Sequence, residues 1–542
     1  MAKGSLQFSG DRIRAPRVTL GILVVLWALF ALGQAAPCVD MNGDSGNYLL
    51  LAKSLRAGEG YMIDGRFYRT GPPLFPLMIA PVADWGRLGY TFMRVIVSLA
   101  GLGALLAAYG LLAQMWSGRR AAGLVLLVAV SSPFIEYCGK LRADIPFFLF
   151  SALFLAAMTR YWRAERVRVG WAALAALALG AAVMTRTAGM AFVVAAFAWL
   201  ARPSLWRKDP RRCILFLAAL LLLACPPIAL WNLAVRAHRE GGSHSYSEFY
   251  HTVILRGAPL FSLEGIGRLI AAQAHAVLSQ LAIAGWAVFT IGKRTGGAFW
   301  AVVVAPLCLL GLAGRLRKAG PVEYAFCAYS LLVLSWGATR SNRLWLPVLP
   351  LLLGYMADGA GMIGRLCEEF PRLRGRGWAE ALDRRLASLR GRLIPIGAGY
   401  LAVVGIVFGI ASAAGAWMDC RDSVNGIVLS GSPRMVAEMA NGSSQPMTVA
   451  YKRAFEVRPA VSNPHVRVVR IPYPESPTVP DLTAALQREG ITHIVITRDD
   501  AEEHPTPNER LIGEALAQFL AHPNEFPVVH AWKGSYVFGL RR

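Results

Sequence analysis

The feature that most constrains this chain is its succession of apolar runs. Stretches such as "VTLGILVVLWALFALGQAA" and "CILFLAALLLLACPPIALW" approach the ~20 residues that cross a ~30 Å hydrocarbon core. Of the 542 residues, 55% are hydrophobic and only 16% charged, and the mean hydropathy is +0.44. So little polar surface cannot cover a soluble globule. The expected class is a mainly α, polytopic membrane protein.

A net charge of +23 invites a nucleic-acid reading, but its location argues against one. From Trp417 onward thirteen Lys/Arg meet fourteen Asp/Glu, so the excess lies in the first 416 residues. Much of it falls in short loops: Lys3 to Arg17, Arg119 and Arg120, Arg160 to Arg168, Arg202 to Arg212, and Arg315 to Lys318. A longer connector, Arg365 to Arg392, adds eight arginines. This is the positive-inside signature, which orients helices and calls for no nucleic-acid partner.

Spans fit these loops at Val18–Ala36, Leu88–Met115, Ala121–Ile135, Ile145–Tyr161, Trp171–Met184, Ala188–Ala201, Cys213–Trp231, Ala298–Gly314, Val322–Trp336, Leu344–Met356 and Leu393–Gly415. About 11 transmembrane helices put the N-terminus and every basic loop in the cytoplasm and the C-terminal tail outside. Gly265–Ile291 is apolar too and reads as interfacial or re-entrant, since one more crossing would invert every later loop. The first span also has a weak likeness to a cleaved signal sequence, "LGQAAP". The expected domains are 1–416 in the membrane, with external loops at about 37–87 and 234–297, and 417–542 outside it. In the tail, "MTVAY", "VRVVRIPY" and "ITHIVITR" read as strands, "PDLTAALQREG" and "NERLIGEALAQFLAHP" as helices, and "FPVVHAW"/"SYVFGLR" as a hairpin. That alternation predicts a small extracytoplasmic α/β domain. No internal repeat of the secondary-transporter kind is visible. Eight cysteines show no metal-ligand spacing; Cys38, Cys138 and Cys420 fall near the outer face, where a disulfide is permitted and three pairings are open.

Four polar sites stand out at the outer membrane face. In "VDMNGDSGNYLLLAKSLRAGEGY" the residues Asp40, Asp44 and Tyr48 recur every four positions, which predicts one face of an amphipathic helix. "KLRADIPF" sets Asp144 between Arg142 and Pro146 at the start of a span. "VMTRTAG" inserts Arg186 between two short apolar stretches, and "TRSNRLWLPVLP" puts Arg340 and Arg343 at the head of another span. Singly, each has a plain explanation: a solvated acid, a helix-capping aspartate, or a snorkelling arginine. Together, carboxylates and arginines on one side of a membrane suit a reaction between a hydroxyl and a lipid-linked phosphate. Arginine presents a fork of donors to phosphate, and a carboxylate can take the proton of an attacking hydroxyl.

The pattern Asp44, Tyr48, Ala52, Leu55, Gly58 and Gly60, followed by "YRTGPPLFPL", resembles the first external loop of GT-C glycosyltransferases. Within these the chain is most similar to the bacterial protein-mannosyltransferase-like group that includes the aminoarabinose transferase of lipid A. "LRADIPF", "TRTAG" and "RLWLPVLP" are similar to that group's second acidic motif, arginine-glycine turn and late arginine-proline span. The resemblance covers about residues 18–360. Ser45 follows Asp44 where the family often has a second acid, and Asp40 lies out of register.

The resemblance implies transfer of a sugar from a polyprenyl-phosphate donor to an envelope lipid, glycan or protein acceptor at the outer face of the cell (inner) membrane. Asp44 is then the expected base, with Asp144 orienting the acceptor or sharing that role. Arg186, Arg343 and Arg340 hold the departing phosphate, and Tyr48, Asp40 and Arg142 line the site. No cofactor is required. Some relatives use a divalent metal, for which His238, His244, His251 and His275 are available without ligand spacing, so no metal residue is assigned. A lipid-linked-sugar flippase and a non-catalytic envelope assembly protein are the rival classes. The first would place polar residues near the bilayer midplane; the second would need no converging carboxylates.

Overall fold

The computed structural model describes residues 17–40, 44–63, 65–238, 297–316, 319–335 and 342–369, and beyond 400 mainly 427–428, 432–451, 461–469, 478–497, 507–532 and 535–540, with a few single residues between. The chain divides into two compact units: Met1–Ala35, Gly65–Met78 and Arg94–Ala416 form the first, and Ala36–Asp64, Ile79–Met93 and Trp417–Arg542 the second.

The first unit is helical. Its elements include α1 (Arg17–Phe30), α4 (Gly86–Met115, whose first two turns belong to the second unit), α5 (Gly118–Ala129), α6 (Ser132–Cys138), α7 (Asp144–Arg163), α8 (Val169–Thr185), α9 (Met190–Leu200), α10 (Pro203–Lys208), α11 (Pro210–Ala219), α12 (Cys225–Ala237), α13 (Gly297–Leu316), α14 (Pro321–Ser335) and α15 (Leu349–Glu369). Among the described residues, α4, α7, the run Pro210–Ala237 and the run Arg343–Ile363 are long and apolar enough to cross a membrane, and the bent pair α5–α6 makes a fifth when counted as one span. The segments α8, α9, α14 and Ala305–Leu316 of α13 are apolar but shorter, at 10–17 residues.

Proline writes several of the irregularities. Between α5 and α6 the axis bends by 60° at Val130–Ser131, and Pro133 sits in the first turn of the second helix, where its missing N–H costs nothing. "LACPPIALW" joins α11 to α12 through a π turn at Leu220–Ala224, which absorbs the hydrogen bonds that Pro226 and Pro227 cannot make. The expected seventh span is therefore part of one longer helical run. Glycine writes the tightest packing. A Cβ on Gly311 would lie 1.9 Å from the Tyr355 carbonyl oxygen, and one on Gly359 equally close to that of Leu307. Only hydrogens fit there, so the backbones of α13 and α15 touch, as helices packed through small residues do. The expected eleventh span, Leu393–Gly415, lies almost wholly outside the described residues, as does Gly265–Ile291.

The second unit holds α2 (Ser45–Arg56) and a five-stranded sheet, in the order β6-β5-β7-β9-β8. Its strands are β5 (Met447–Tyr451), β6 (Val466–Val469), β7 (His493–Thr497), β8 (Val528–Trp532) and β9 (Ser535–Gly539). β5 pairs parallel with β6 and β7; β9 pairs antiparallel with β7 and β8. Helices Val479–Arg488 and Pro507–Ala521 cover it with Leu482, Leu486, Leu511, Ile512 and Phe519 against Ile494, Ile496 and Phe538. β1 (Val39–Asp40) pairs parallel with β4 (Ile427–Val428). This corrects the expected helical face: Asp40 belongs to a strand, not to the helix that carries Tyr48. Cys38 and Cys138 are both buried, and Cys420 lies outside the described residues.

Candidate functional site

Asp144 opens α7 with Pro146 two residues on, so both occupy the first turn. There proline is tolerated and an acid meets unsatisfied N–H groups. The carboxylate is only 2% exposed, and a charge so buried requires partners. It has two. Arg186 Nη1 donates to Oδ1, and Arg343 Nη1 stands 4.0 Å from Oδ2, which accepts no hydrogen bond among the described residues.

Local sequence explains how each arginine arrives. α8 stops at Thr185, Arg186 takes an extended conformation, and Thr187–Gly189 makes a single 3-10 turn before α9 begins. That turn folds back on α8 so closely that a Cβ on Gly189 would lie 2.8 Å from the Val183 nitrogen. Glycine is therefore what lets the break occur where it swings Arg186 toward α7. Arg343 sits on the 3-10 segment Asn342–Val348 that leads into α15. The neighbouring Leu344 carbonyl accepts the hydroxyl of Tyr329 at 2.8 Å. Tyr329 is 1% exposed. Its ring stacks on Phe192 at 5.1 Å and 5° and lies 6.0 Å from Phe147, one turn beyond Asp144. One aromatic stack thus ties together α7, α9 and α14, the scaffold around the two arginines and the acid. Two guanidiniums meet at this one carboxylate, and guanidinium forks are donors suited to a phosphate oxygen.

The other expected residues are distributed as follows. Arg142, half-buried just ahead of α7, has its guanidinium 5.8 Å over the Tyr137 ring. Arg340 lies outside the described residues. Asp44 and Tyr48 belong to the second unit, one helical turn apart, with the Tyr48 N–H bonded to the Asp44 carbonyl at 3.1 Å. Asp44 occupies the N-cap position of α2, yet its side chain makes no capping bond. α2 is fixed by fully buried Leu49, Leu51 and Ala52. Its exit is fixed by the Ser54 hydroxyl on the Gly60 carbonyl at 3.0 Å. Gly58 and Gly60 take φ values of 77° and 92°, which explains the glycine pair in "RAGEG". Lys53 on this helix has its ammonium group pushed below its usual pKa by burial, against an opposing pull from Asp84.

A metal set does not gather among the described residues. No three His, Cys, Asp or Glu side chains there could share an ion. His238 stacks on Phe67 at 4.3 Å with its Nδ1 against the Ala234 carbonyl; His244, His251 and His275 lie outside the described residues. Two residues were invisible to sequence reading. Tyr329 sits in an apolar run, where the only clue is that a buried phenol must find an acceptor. Arg69, in "YRTGPP", is a charged residue only 7% exposed.

The family model described as dolichyl-phosphate-mannose-protein mannosyltransferase matches residues 70–231, a stretch that includes Asp144 and Arg186. No curated relative matches the sequence. Among solved structures, ArnT from Cupriavidus metallidurans bound to undecaprenyl phosphate is similar with a TM-score of 0.52 at 15% identity, over 96% of this chain and 97% of that one. Its apo form gives 0.51 at 14% identity with the same coverage. The Archaeoglobus fulgidus oligosaccharyltransferase in complex with Zn and sulfate gives 0.53 at 12% identity, over 96% of this chain and 73% of that one. At these identities the likeness is one of fold, shared with ArnT and with the archaeal oligosaccharyltransferase.

Proposed function

We propose that this chain is an integral-membrane glycosyltransferase that moves a sugar from a polyprenyl-phosphate donor to an extracytoplasmic lipid, glycan or protein acceptor. The observation that carries the reading is the buried Asp144 carboxylate flanked by Arg186 and Arg343. A membrane-embedded charge cluster is a functional candidate by default, and this one brings two guanidiniums to one acid. The similar ArnT structure bound to undecaprenyl phosphate supports a lipid phosphate as the ligand.

In the proposed step Asp44 takes the proton of the acceptor hydroxyl as its oxygen attacks the sugar C1. The C1–O bond to phosphate breaks with inversion, and its electron pair leaves on the polyprenyl phosphate. Arg343 and Arg186, with Arg340, bind the phosphate where negative charge grows in the transition state. Asp144 holds the two guanidiniums apart and aimed, which favours an orienting role over that of a free base. Tyr48 and Arg142 line the acceptor and donor sides, and Asp40, held in a strand pair, is peripheral. The donor brings its own activation, so no nucleotide or other cofactor enters the step.

The same reading gives an inner-membrane protein of about eleven spans, with a cytoplasmic N-terminus and residues 417–542 outside. The test is mass spectrometry of envelope glycans, lipids and glycoproteins from a deletion strain, paired with transfer by the purified protein from undecaprenyl-phosphate sugars. Loss of one sugar modification is expected. An envelope identical to wild type, with no transfer in vitro, rejects the reading.

A further inference from the structure

The first unit contains a second ionic cluster, which the proposed transfer does not use. Asp358 on α15 accepts from Arg315 Nε at 2.7 Å and from the Trp116 indole at 3.1 Å, and it pairs with Arg120 Nη2 at 2.7 Å. Arg315 stacks on Trp116 with its guanidinium carbon 4.3 Å from the ring, donates to the Met115 carbonyl and stands 3.9 Å from Glu323. Glu323, 5% exposed, accepts the Gly320 N–H at 2.8 Å and faces the Tyr355 hydroxyl at 3.5 Å. Arg120 also donates to the Gly354 carbonyl at 3.0 Å. A Cβ on Gly354 would lie 2.3 Å from the Trp116 ring.

These contacts grip α15 over little more than one turn, Gly354 to Asp358, from three directions: the α4–α5 corner, the end of α13 and the start of α14. The Gly311–Gly359 contact fixes the same turn against α13. Both helices gripped here run on to the candidate site. α15 continues from the segment that bears Arg343, forming one helical run Arg343–Ile363. α14 carries Tyr329, which bonds Leu344 beside Arg343. At ~2.0 Å per residue through the 3-10 segment and ~1.5 Å beyond it, Asp358 lies roughly 25 Å along the axis from Arg343. A helix fixed in rotation and height at one end transmits that setting to the other, because packed interiors do not deform continuously. The Arg343–Asp144 separation of 4.0 Å is one that a small axial slip or rotation would open or close.

We propose that Asp358 is a positioning residue for lipid-phosphate binding: through α15 it sets the height and rotation of Arg343 against Asp144. The proposal rests on the reading of Arg343 as a phosphate ligand, and its test separates the two. Full-length protein in nanodiscs carries 5-fluorotryptophan, with the Trp345 resonance assigned by Trp345→Phe and that of Trp116 by Trp116→Phe. Asp358→Asn keeps the size and one acceptor oxygen but removes the charge shared by Arg120 and Arg315. The expected result is a shifted or split Trp345 resonance in the absence of any ligand. Undecaprenyl phosphate binding should weaken on the order of tenfold in Asp358→Asn, with no further loss when Asp358→Asn is added to Arg343→Gln. Asp358→Glu should restore most of the binding. An unchanged Trp345 resonance, or equal weakening in the wild-type and Arg343→Gln backgrounds, overturns the proposal even if Tm falls. Absence of undecaprenyl phosphate binding by wild type, with Trp345 still shifted by Asp358→Asn, rejects the phosphate reading and leaves the mechanical link standing.

Discussion

The hydroxyl of Tyr329 donates to the carbonyl of Leu344 at 2.8 Å, so a residue in the middle of one apolar helix holds the backbone beside Arg343 on another segment. Removing that hydroxyl leaves a buried carbonyl without its donor, a loss of about 1–3 kcal/mol. Tyr329→Phe keeps the stack on Phe192 and should lower Tm while weakening donor use more than a distant substitution of equal destabilisation. Thermal unfolding and a donor titration on the same preparation check it; a lowered Tm with an unchanged half-saturation would confine Tyr329 to a packing role.

Asp44→Asn should reduce transfer by ~10²–10⁴-fold, the usual contribution of a general base, with little change in the amount of protein in the membrane. Asp40→Asn should be far milder, because Asp40 lies in the β1–β4 strand pair and not on α2. Rate measurements on membranes matched by immunoblot decide it; equal rates for wild type and Asp44→Asn would remove the base assignment.

Arg343→Lys keeps the charge but cannot form a two-point contact with phosphate. Half-saturation by donor lipid should rise about tenfold to a hundredfold, as expected for loss of one charge-assisted hydrogen bond of ~1.5–3 kcal/mol. Arg186→Lys should also disturb Asp144, since Arg186 makes the direct hydrogen bond to it. Unaltered donor kinetics in Arg343→Lys would mark it as a membrane anchor only.

Lys53 gives a pH signature. Burial holds its folded-state pKa below the free value of 10.5, so the folded state disfavours the charged form. The penalty is fully present below the folded pKa and is relieved as pH rises from that value toward 10.5. Lys53→Met should therefore raise stability at neutral pH and flatten the alkaline rise. Denaturant unfolding at several pH values, with Arg56→Met as a control on the same helix, is the check; parallel curves for wild type and Lys53→Met would refute it.

What the sequence reveals and conceals follows from range. Asp144, Arg186 and Arg343 are legible because each charge interrupts or opens an apolar stretch, and such interruptions are expensive in a membrane. The tail hairpin is legible because Lys533-Gly534 separates two short β-rich runs that pair as β8 and β9. Asp40 misleads because a spacing of four is also met by chance; the strand that claims it pairs with Ile427–Val428, far along the chain. Tyr329 is hidden for a similar reason. Its polar partner lies on another segment, and nothing in "AFCAYSLLVLSWG" distinguishes it from a packing aromatic.

The π turn at Leu220–Ala224 acts as a phase shifter. One additional residue per turn advances everything downstream by about 100° around the axis, so the aromatic contacts of α12 with Phe67, through Trp231 at 5.8 Å and His238 at 4.3 Å, depend on residue count upstream as much as on side-chain identity. Relatives that differ here by a single insertion or deletion would present another face of this helix to the same loop while every aromatic remained in the alignment. In this stretch, divergence in length carries more consequence than divergence in letters.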